Sequence, residues 1–270
     1  MTAETATYKA SSAPLRVFIT GASSGIGEAL ARHYAAQGAN VGLVARRGDL
    51  LASLCASLPG GEDAHITLSA NVADADSMND AAKQYMTRFG LPDIVIANAG
   101  ISTGTLTDES SDLKVFEAIF ATNVLGVVNT FMPFVRAMRR RGSGKLVGVS
   151  SVAGVRGLPG AGAYSASKAA LSRYLESLRI EMHGTGVRVI DIRPGYIATP
   201  MTAVNPYTRP FILPPDVAAR RFARAIAAGC SQATIPWQMN IVAKLMPLLP
   251  NWLYDRILAG AKRKPRNLPS

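Results

Sequence analysis

Arg-Val-Phe-Ile-Thr-Gly-Ala-Ser-Ser-Gly-Ile-Gly at residues 16–27 joins a short apolar run to a glycine-rich turn, and an amphipathic stretch follows. An apolar strand, a glycine turn and a helix in this order are typical of the first βαβ unit of a nucleotide-binding sheet. Glycine lets backbone amides approach a phosphate, whose charge then lies at the positive end of the helix. The spacing is G-x-x-x-G-x-G and not the commoner G-x-G-x-x-G, and a plain tight turn is the alternative interpretation. The predicted phosphate-binding residues are Gly21, Ser23, Ser24, Gly25, Ile26 and Gly27.

Outward from this turn, apolar runs alternate with longer amphipathic stretches, which is the pattern of βαβ units around a parallel sheet. The predicted strands are Arg16–Thr20, Asn40–Ala45, His65–Ser69, Ile94–Ala97, Lys145–Ser150 and Arg188–Arg193. The predicted helices are Gly25–Gln37, Arg47–Ser57, Ala73–Phe89, Leu113–Arg140, Ala163–His183 and Asp216–Ala228. Nearly continuous apolar strands are expected where helices cover both faces of a sheet. The sequence therefore predicts a single doubly wound Rossmann-type α/β domain with a central parallel sheet and helices on both faces.

Composition argues against several classes of protein. The formal net charge is +11, and residues 231–270 hold six Lys and Arg residues against one acid. The other charges are spread along the chain apart from Arg139–Arg141, which is typical of a solvated basic surface and not of a nucleic-acid reader. Cys55 and Cys230 lie far apart without CxxC spacing, so we expect neither a disulfide nor a metal site and favour a reducing cytosol. Because no run of about 20 apolar residues is present, we expect no membrane-spanning helix.

The end of the second predicted strand reads Val44-Ala45-Arg46-Arg47, with no acidic residue before Asp49. In a nucleotide-binding sheet this strand end meets the adenosine ribose, where an acid favours NAD and an arginine accommodates the 2′-phosphate of NADP. Guanidinium groups bind phosphate through paired, charge-assisted hydrogen bonds. Arg46 and Arg47 therefore predict NADP(H) as the cofactor. The alternative is that both arginines only cap and solvate the next helix.

Tyr164 and Lys168 stand four positions apart, which places both side chains on one face of a helix. An ordinary tyrosine has a pKa of about 10 and is a poor acid or base near neutral pH. A lysine ammonium together with a positive nicotinamide would lower the pKa of Tyr164 by roughly three units, which corresponds to about 4 kcal/mol. The pair predicts proton transfer by Tyr164, although a Tyr-x-x-x-Lys pair taken alone is commonly a surface pair.

Six motifs follow one another in a recognisable order: Thr20-Gly-Ala-Ser-Ser-Gly-Ile-Gly27, Asn98-Ala-Gly100, Asn123, Ser150-Ser151, Tyr164-x-x-x-Lys168 and Pro194-Gly195. Over roughly residues 15–230 this order and spacing resembles the short-chain dehydrogenase/reductase family. The resemblance implies a catalytic set made of Asn123, Ser151, Tyr164 and Lys168.

The resemblance also implies a role for each member of this set. Ser151, preferred over Ser150, would hydrogen-bond the substrate oxygen and stabilise its developing charge. Tyr164 would exchange a proton with that oxygen, and Lys168 would also hold the nicotinamide ribose. Asn123 would steady a water that leads to Lys168. The structural alternatives are a strand-end turn residue at Ser151 and a buried polar group at Asn123.

Further cofactor contacts are implied by the same resemblance. They are Asn98, Ala99 and Gly100 near the ribose, Asn71 and Val72 near the adenine, and Pro194, Gly195, Ile197 and Thr199 near the nicotinamide carboxamide. Bracing of the sheet is an almost equally favoured interpretation for Asn98. Asn71 departs from the family, in which many members have an acid that meets the adenine amino group. An Asn oxygen can accept the same hydrogen bond.

Three segments follow from these motifs. Residues 1–14 are predicted to form a disordered leader, and they lack the features of a signal peptide. Residues 15–230 are predicted to form the Rossmann-type dinucleotide-binding and catalytic domain. Its long irregular loop at 196–215 would select the substrate. Residues 231–270 form an apolar and basic C-terminal extension, whose stretch 236–266 would pack on the core or on a partner subunit, or contact a membrane surface. The apolar residues of the loop, which would either cover the substrate or pack against helices, are Met201, Tyr207, Phe211, Ile212 and Leu213.

The sequence thus predicts a cytoplasmic NADP(H)-dependent oxidoreductase that interconverts a carbonyl and an alcohol on a fairly apolar small molecule. The alternatives are a non-catalytic NADP(H)-binding redox sensor and a membrane-surface-associated protein. The intact catalytic set argues against the sensor. Family resemblance implies a homodimer or homotetramer.

Overall fold

The computed structural model describes residues 13–205 and 208–266, which form a seven-stranded parallel sheet between two layers of helices. The strands are β1 (Arg16–Thr20), β2 (Asn40–Ala45), β3 (His65–Ser69), β4 (Ile94–Ala97), β5 (Gly144–Val149), β6 (Val187–Pro194) and β7 (Gln232–Ile235). Residues 1–12 of the predicted leader and Tyr207 of the predicted substrate loop lie outside the described residues.

The helices alternate with these strands along most of the chain. They are α1 (Gly25–Ala35), α2 (Gly48–Ser57), α3 (Gly61–Ala64), α4 (Ala75–Phe89), α5 (Asp112–Phe120), α6 (Gly126–Arg141), α7 (Gly162–Glu181), α8 (Pro200–Ala203), α9 (Pro215–Ala228), α10 (Trp237–Leu245) and α11 (Asn251–Leu258). A π-helical segment, Ala121–Leu125, joins α5 to α6, and short 3-10 turns lie at Val152–Gly154 and Met246–Leu248. The predicted helix Leu113–Arg140 is therefore one helical run with a π-helical interruption.

Across the sheet the strands follow one another as β3-β2-β1-β4-β5-β6-β7. The chain therefore adds strands on one side from β1 to β3 and on the other side from β4 to β7, so the order reverses between β1 and β4. Residues 16–18 of β1 pair with residues 40–42 of β2, and Val17–Ile19 pair with Ile94–Ile96 of β4 on the other side. In such open sheets, ligands bind in the crevice at the carboxyl ends of the strands where the order reverses. The glycine-rich turn after β1 and Asn98–Gly100 after β4 lie at this crevice.

Alternating residues of β1 face opposite layers of the molecule. Val17 and Ile19 belong to the core under α1, α2 and α9, whereas Phe18 belongs to the core under α4, α6 and α7. Phe18 meets Tyr85 edge to face at 5.4 Å and Phe134 at 5.0 Å between ring centroids. A strand buried on both faces carries apolar residues at consecutive positions. For this reason β1 does not alternate between apolar and polar residues. The predicted doubly wound fold is confirmed.

The helical run Asp112–Arg141 is long and apolar enough, by length and composition, to cross a membrane. Its inner side chains, including Val127, Phe131 and Phe134, belong to the core beneath the sheet. Burial against the sheet therefore accounts for the apolar side chains on the inner side of this run, whereas Leu113, Leu125 and Met132 are exposed.

Two regions after β6 differ from the prediction. The loop 196–215 contains α8 and is closed by a bridge between Ile197 and Leu213, so it is only partly irregular. The sequence does not predict strand β7, because the four residues Gln-Ala-Thr-Ile, of which only Ile235 is buried, carry little apolar signal. It pairs with β6 from Asp191↔Gln232 to Pro194↔Ile235 and so extends the sheet into the predicted C-terminal extension.

Candidate active site

The glycine-rich turn is packed too tightly for side chains. Gly21 has φ +68°, and a Cβ atom there would lie 2.8 Å from the Ala99 Cα atom. A Cβ atom at Gly27 would lie 2.1 Å from the Gly21 carbonyl oxygen. Ser24 precedes α1 without capping it through its side chain, so the first-turn amides of α1 have no side-chain acceptor from that position. Such amides and the helix dipole form a site that accepts a phosphate.

Arg46 and Arg47 lie exposed at the carboxyl end of β2, beside this turn. The Arg47 guanidinium donates to Ser23 Oγ at 3.1 Å and to Ser24 Oγ at 3.5 Å. Within residues 13–205 and 208–266, neither arginine forms an ion pair with a carboxylate. Two cations thus stand next to the predicted phosphate site with their charge unneutralised by protein acids.

The segment Asn98–Gly100 connects the glycine-rich turn to the interior of the site. Asn98 Nδ2 donates to the carbonyl oxygens of Thr20 (3.0 Å) and Gly21 (3.3 Å). The backbone amides of Asn98 and Ala99 donate to Thr20 Oγ1 at 3.1 and 3.2 Å. Asn98 therefore does brace β1, which is its structural interpretation. At Gly100 a Cβ atom would lie 3.1 Å from Asn123 Oδ1 and 3.5 Å from Lys168 Nζ, so the segment reaches both predicted catalytic groups.

Asn123 is fully buried in the π-helical segment. Its Oδ1 accepts from the Ile101 amide at 2.9 Å, and its Nδ2 donates to the Ile101 carbonyl at 3.0 Å and to Ser167 Oγ at 3.0 Å. The side chain thereby ties the chain after β4 to α7. Single π turns inside α-helices occur frequently at functional sites.

Tyr164, Ser151 and Lys168 meet at the start of α7. The Tyr164 hydroxyl and Ser151 are hydrogen-bonded through their side chains, and Lys168 Nζ lies 5.8 Å from the centroid of the Tyr164 ring. Lys168 is buried and donates to the Val149 carbonyl at 2.8 Å.

Ser150, the less favoured serine, makes different contacts from its neighbour. Its Oγ is buried and hydrogen-bonds with the Asp191 carboxylate. The two adjacent serines thus divide their contacts, with Ser150 linking β5 to β6 and Ser151 facing Tyr164.

Burial dominates the proton affinities in this site. It raises the pKa of Tyr164, and the hydrogen bond with Ser151 opposes that shift. The expected lowering of the pKa of Tyr164 by Lys168 is thus not found in the protein alone, because burial disfavours the phenolate by more than the Ser151 hydrogen bond favours it. Burial also lowers the pKa of Lys168 to about 8, with a smaller opposing contribution from Asp191.

The remaining predicted contact residues lie along the same edge of the sheet. Asn71 is exposed and its Oδ1 accepts from the Ala73 amide at 3.1 Å, while Val72 is buried against α6. Gly195 follows β6, and a Cβ atom there would lie 2.6 Å from Met239 Cγ. Three residues, Pro194, Ile197 and Thr199, continue this edge as the last residue of β6, a buried bridge residue and the residue before α8.

The sequence predicts neither Lys264, which lies close to Tyr164, nor its hydrogen-bond partner Ser102 as site residues. Lys264, near the end of the described chain, places its Nζ 5.8 Å from the Tyr164 ring centroid and donates to Ser102 Oγ at 2.7 Å. The contact joins residues 162 positions apart. No local sequence pattern could reveal such a contact, and the sequence alone indicated only a basic tail. Among the described residues, no group of three or more His, Cys, Asp or Glu side chains could hold a metal ion.

Comparison with known proteins agrees with this geometry. Residues 16–209 match the family model for short chain dehydrogenases. An uncharacterized oxidoreductase of Myxococcus xanthus is 38% identical over 248 residues, covering 91% of this chain and 95% of the relative.

Solved structures show the same fold. The alcohol dehydrogenase of Thermococcus sibiricus complexed with 5-hydroxy-NADP superposes with a TM-score of 0.73 at 29% identity, covering 83% of this chain and 96% of that chain. A short chain dehydrogenase/reductase of Burkholderia phymatum in complex with NAD gives a TM-score of 0.79 at 22% identity, covering 95% and 98%. With the family model matching most of its length, the chain belongs to the short-chain dehydrogenase/reductase family of oxidoreductases.

Proposed function

We propose that this protein is an NADP(H)-dependent oxidoreductase that interconverts a carbonyl and an alcohol, with Tyr164 as the general acid and base. The observation that carries the proposal is the course of Asn98–Gly100. At one end it packs on the glycine-rich turn, and at the other it adjoins Asn123 and Lys168. A dinucleotide that has its phosphates at the turn would follow this segment towards Tyr164.

The cofactor assignment rests on charge at the end of β2. Arg47 contacts both serines of the turn, and Arg46 stands beside it without an acidic partner among the described residues. An acid at this strand end would favour the ribose hydroxyls of NAD, whereas arginines favour the 2′-phosphate of NADP.

The protein's own residues organise the transfer of a proton. In the direction of reduction, Ser151 and Tyr164 would hold the substrate oxygen between two hydroxyl groups. Bound NADPH supplies the hydride that adds to the carbonyl carbon. Because burial raises the pKa of Tyr164, its phenol is protonated at neutral pH and can donate that proton to the oxygen as the alcohol forms. The buried Lys168 ammonium would then stabilise the phenolate left behind.

We assign a fairly apolar substrate on the basis of the loop 196–215. Leu213 packs against the core, whereas Met201, Phe211 and Ile212 are exposed. These three side chains would cover the apolar part of a substrate.

A cytoplasmic location and a homodimer or homotetramer remain part of the proposal. Exposed apolar side chains on the helical run Asp112–Arg141, namely Leu113 on α5, Leu125 in the π-helical segment and Met132 on α6, would suit a subunit contact.

The experiment is a comparison of three variants in NADPH- and NADH-linked reduction of aldehydes and ketones. Tyr164→Phe should lower kcat by about 10²- to 10⁴-fold, the usual contribution of a positioned general acid. Tyr174→Phe, on the same helix, is the matched control and should retain activity. Arg46→Asp should lower the NADPH preference by at least about tenfold, the effect of one charge-assisted hydrogen bond. Full activity of Tyr164→Phe, or an unaltered NADPH preference in Arg46→Asp, contradicts the respective assignment.

A second candidate, attachment to a membrane surface, is favoured by exposed side chains on α10 and α11. Trp237 and Trp252 are 65% and 69% exposed, and Lys244 and Arg256 on the same two helices are also exposed. Exposed tryptophans beside cations suit the interface of an anionic bilayer. The double variant Trp237→Ser, Trp252→Ser should abolish cosedimentation with phosphatidylserine vesicles. Equal cosedimentation of both proteins, or none by the wild type, excludes this candidate.

A further inference from the structure

The last described residues of the chain fold back across the active-site edge of the sheet. The Pro265 carbonyl accepts from the Gly104 amide at 2.7 Å and from Thr103 Oγ1 at 3.0 Å. Gly104 is packed so closely that a Cβ atom there would lie 2.2 Å from the Lys264 carbonyl oxygen. Residues 262–266, here called the C-terminal strap, therefore dock on the segment that follows β4.

Ion pairs anchor the end of this strap. Arg266 donates to both carboxylate oxygens of Asp112, at 3.0 and 3.1 Å, and forms an ion pair with Glu109 at 3.0 Å. The guanidinium lowers the pKa of Asp112, so this contact holds throughout the neutral range. The paired geometry fixes the direction in which the strap leaves the site.

Lys264 is the one cation of the described strap that points inward. Lys262 and Arg263 are exposed, whereas Lys264 is 8% exposed and Ser102, its hydrogen-bond partner, is 7% exposed. Lysine side chains normally extend so that the ammonium reaches water. The strap instead holds this ammonium beside Tyr164, on the ring that also neighbours Lys168.

The buried ammonium has no acidic partner. Within residues 13–205 and 208–266, Lys264 forms no ion pair, and the two acids that the strap contacts, Glu109 and Asp112, pair with Arg266. Burial lowers the pKa of Lys264 to about 8, which leaves it mainly protonated at neutral pH. A buried cation without a counter-ion is costly, and an anion that enters the site offsets that cost.

We propose that Lys264 is the anion-recognition residue of the substrate site, so that the preferred substrates are carbonyl compounds or alcohols that carry a carboxylate or a comparable anionic group a few bonds from the reacting carbon. This rests on the proposed function, because the anion is placed relative to an oxygen held by Ser151 and Tyr164. The apolar side chains of the loop 196–215 would cover the rest of such a molecule. Lys264 selects the substrate and takes no part in the proton transfer.

The test uses three keto acids, 4-oxopentanoate, 5-oxohexanoate and 6-oxoheptanoate. The methyl ester of each acid, which has the same acyl chain and no charge, is its neutral counterpart. The wild-type protein should favour at least one acid over its ester in NADPH-linked reduction. Lys264→Met should lower the acid-to-ester ratio of kcat/KM by about 10- to 100-fold, chiefly through KM, since a hydrogen bond to a charged group is lost. Lys264→Arg should restore part of that ratio. Lys262→Met, which removes an exposed charge two residues away, is the matched control and should leave the ratio unchanged.

Two results would overturn the proposal. One is a Lys264→Met variant in which acid and ester lose activity by the same factor, since that is the behaviour of a residue that positions Tyr164. The other is a wild-type protein that shows no preference for any acid.

A binding measurement separates this proposal from the proposed function. With NADP⁺ present, the keto acids should raise the melting temperature of the wild type more than that of Lys264→Met, even without turnover. Should no ketone be reduced, the proposed function fails and this difference alone decides the role of Lys264. Equal shifts in the two proteins overturn it.

Discussion

Replacing Asn123 by Leu should remove about 3 kcal/mol from the free energy of unfolding. Leu keeps the branching at Cγ and the burial of the side chain, but it removes three hydrogen bonds, two to the backbone of Ile101 and one to Ser167. Each such bond contributes about 1 kcal/mol net, and the polar groups left behind in a buried setting add to the loss. A domain of ordinary stability, about 5–15 kcal/mol, survives this change and stays measurable.

The assay is equilibrium unfolding in urea of the protein without cofactor. Thr130→Val is the matched control, because Thr130 is equally buried on the same helical run and, among the described residues, its side chain makes one hydrogen bond, to the Gly126 carbonyl at 2.6 Å. It should cost about 1 kcal/mol. The reasoning would be refuted if Asn123→Leu unfolded at the same urea concentration as Thr130→Val while losing its kcat. Asn123 would then act in the chemistry and not in holding the chain after β4 against α7.

Two further predictions concern the turn and the buried lysine. Gly27→Ala should lower the free energy of unfolding by about 1–3 kcal/mol through overpacking and should weaken NADP⁺ binding, because its Cβ atom would lie 2.1 Å from the Gly21 carbonyl oxygen. Thermal melting and calorimetric titration measure the two effects. Gly157→Ala, at a position where the space around a Cβ atom is open, is the control. Lys168 has a pKa of about 8 in the folded protein against 10.5 ordinarily, so the unfolded chain binds more protons between these values and stability should rise with pH across that window. Relative to Lys168→Met, the wild type should gain about 3 kcal/mol of unfolding free energy between pH 8 and 10.5. If the unfolding free energies of the two proteins change in parallel with pH, burial does not depress the pKa of Lys168.

Much of the fold could be predicted because it depends on short-range pattern. The first four strands begin and end where the sequence predicts, since each is a short run rich in aliphatic or β-branched residues. Strand β7 could not be predicted because only one of its four residues, Ile235, is buried, so the run lacks that pattern, and pairing with β6 makes it a strand. The π-helical segment around Asn123 was likewise hidden, since apolar periodicity does not distinguish it from the helices on either side.

For the candidate site, the sequence by itself determined which residue types occur and in what order: the glycine turn, Ser151, and the Tyr164–Lys168 pair that one helical turn brings together. Only the tertiary structure decided their environment. It directed Ser150 to Asp191 and Ser151 to Tyr164, and it brought Lys264 to Ser102 across 162 positions of the chain. It also let burial, which raises the pKa of Tyr164, outweigh the opposing hydrogen bond with Ser151. Periodicity records contacts within a few residues, whereas burial and long-range pairing exist only once the sheet has assembled and excluded water from its edge.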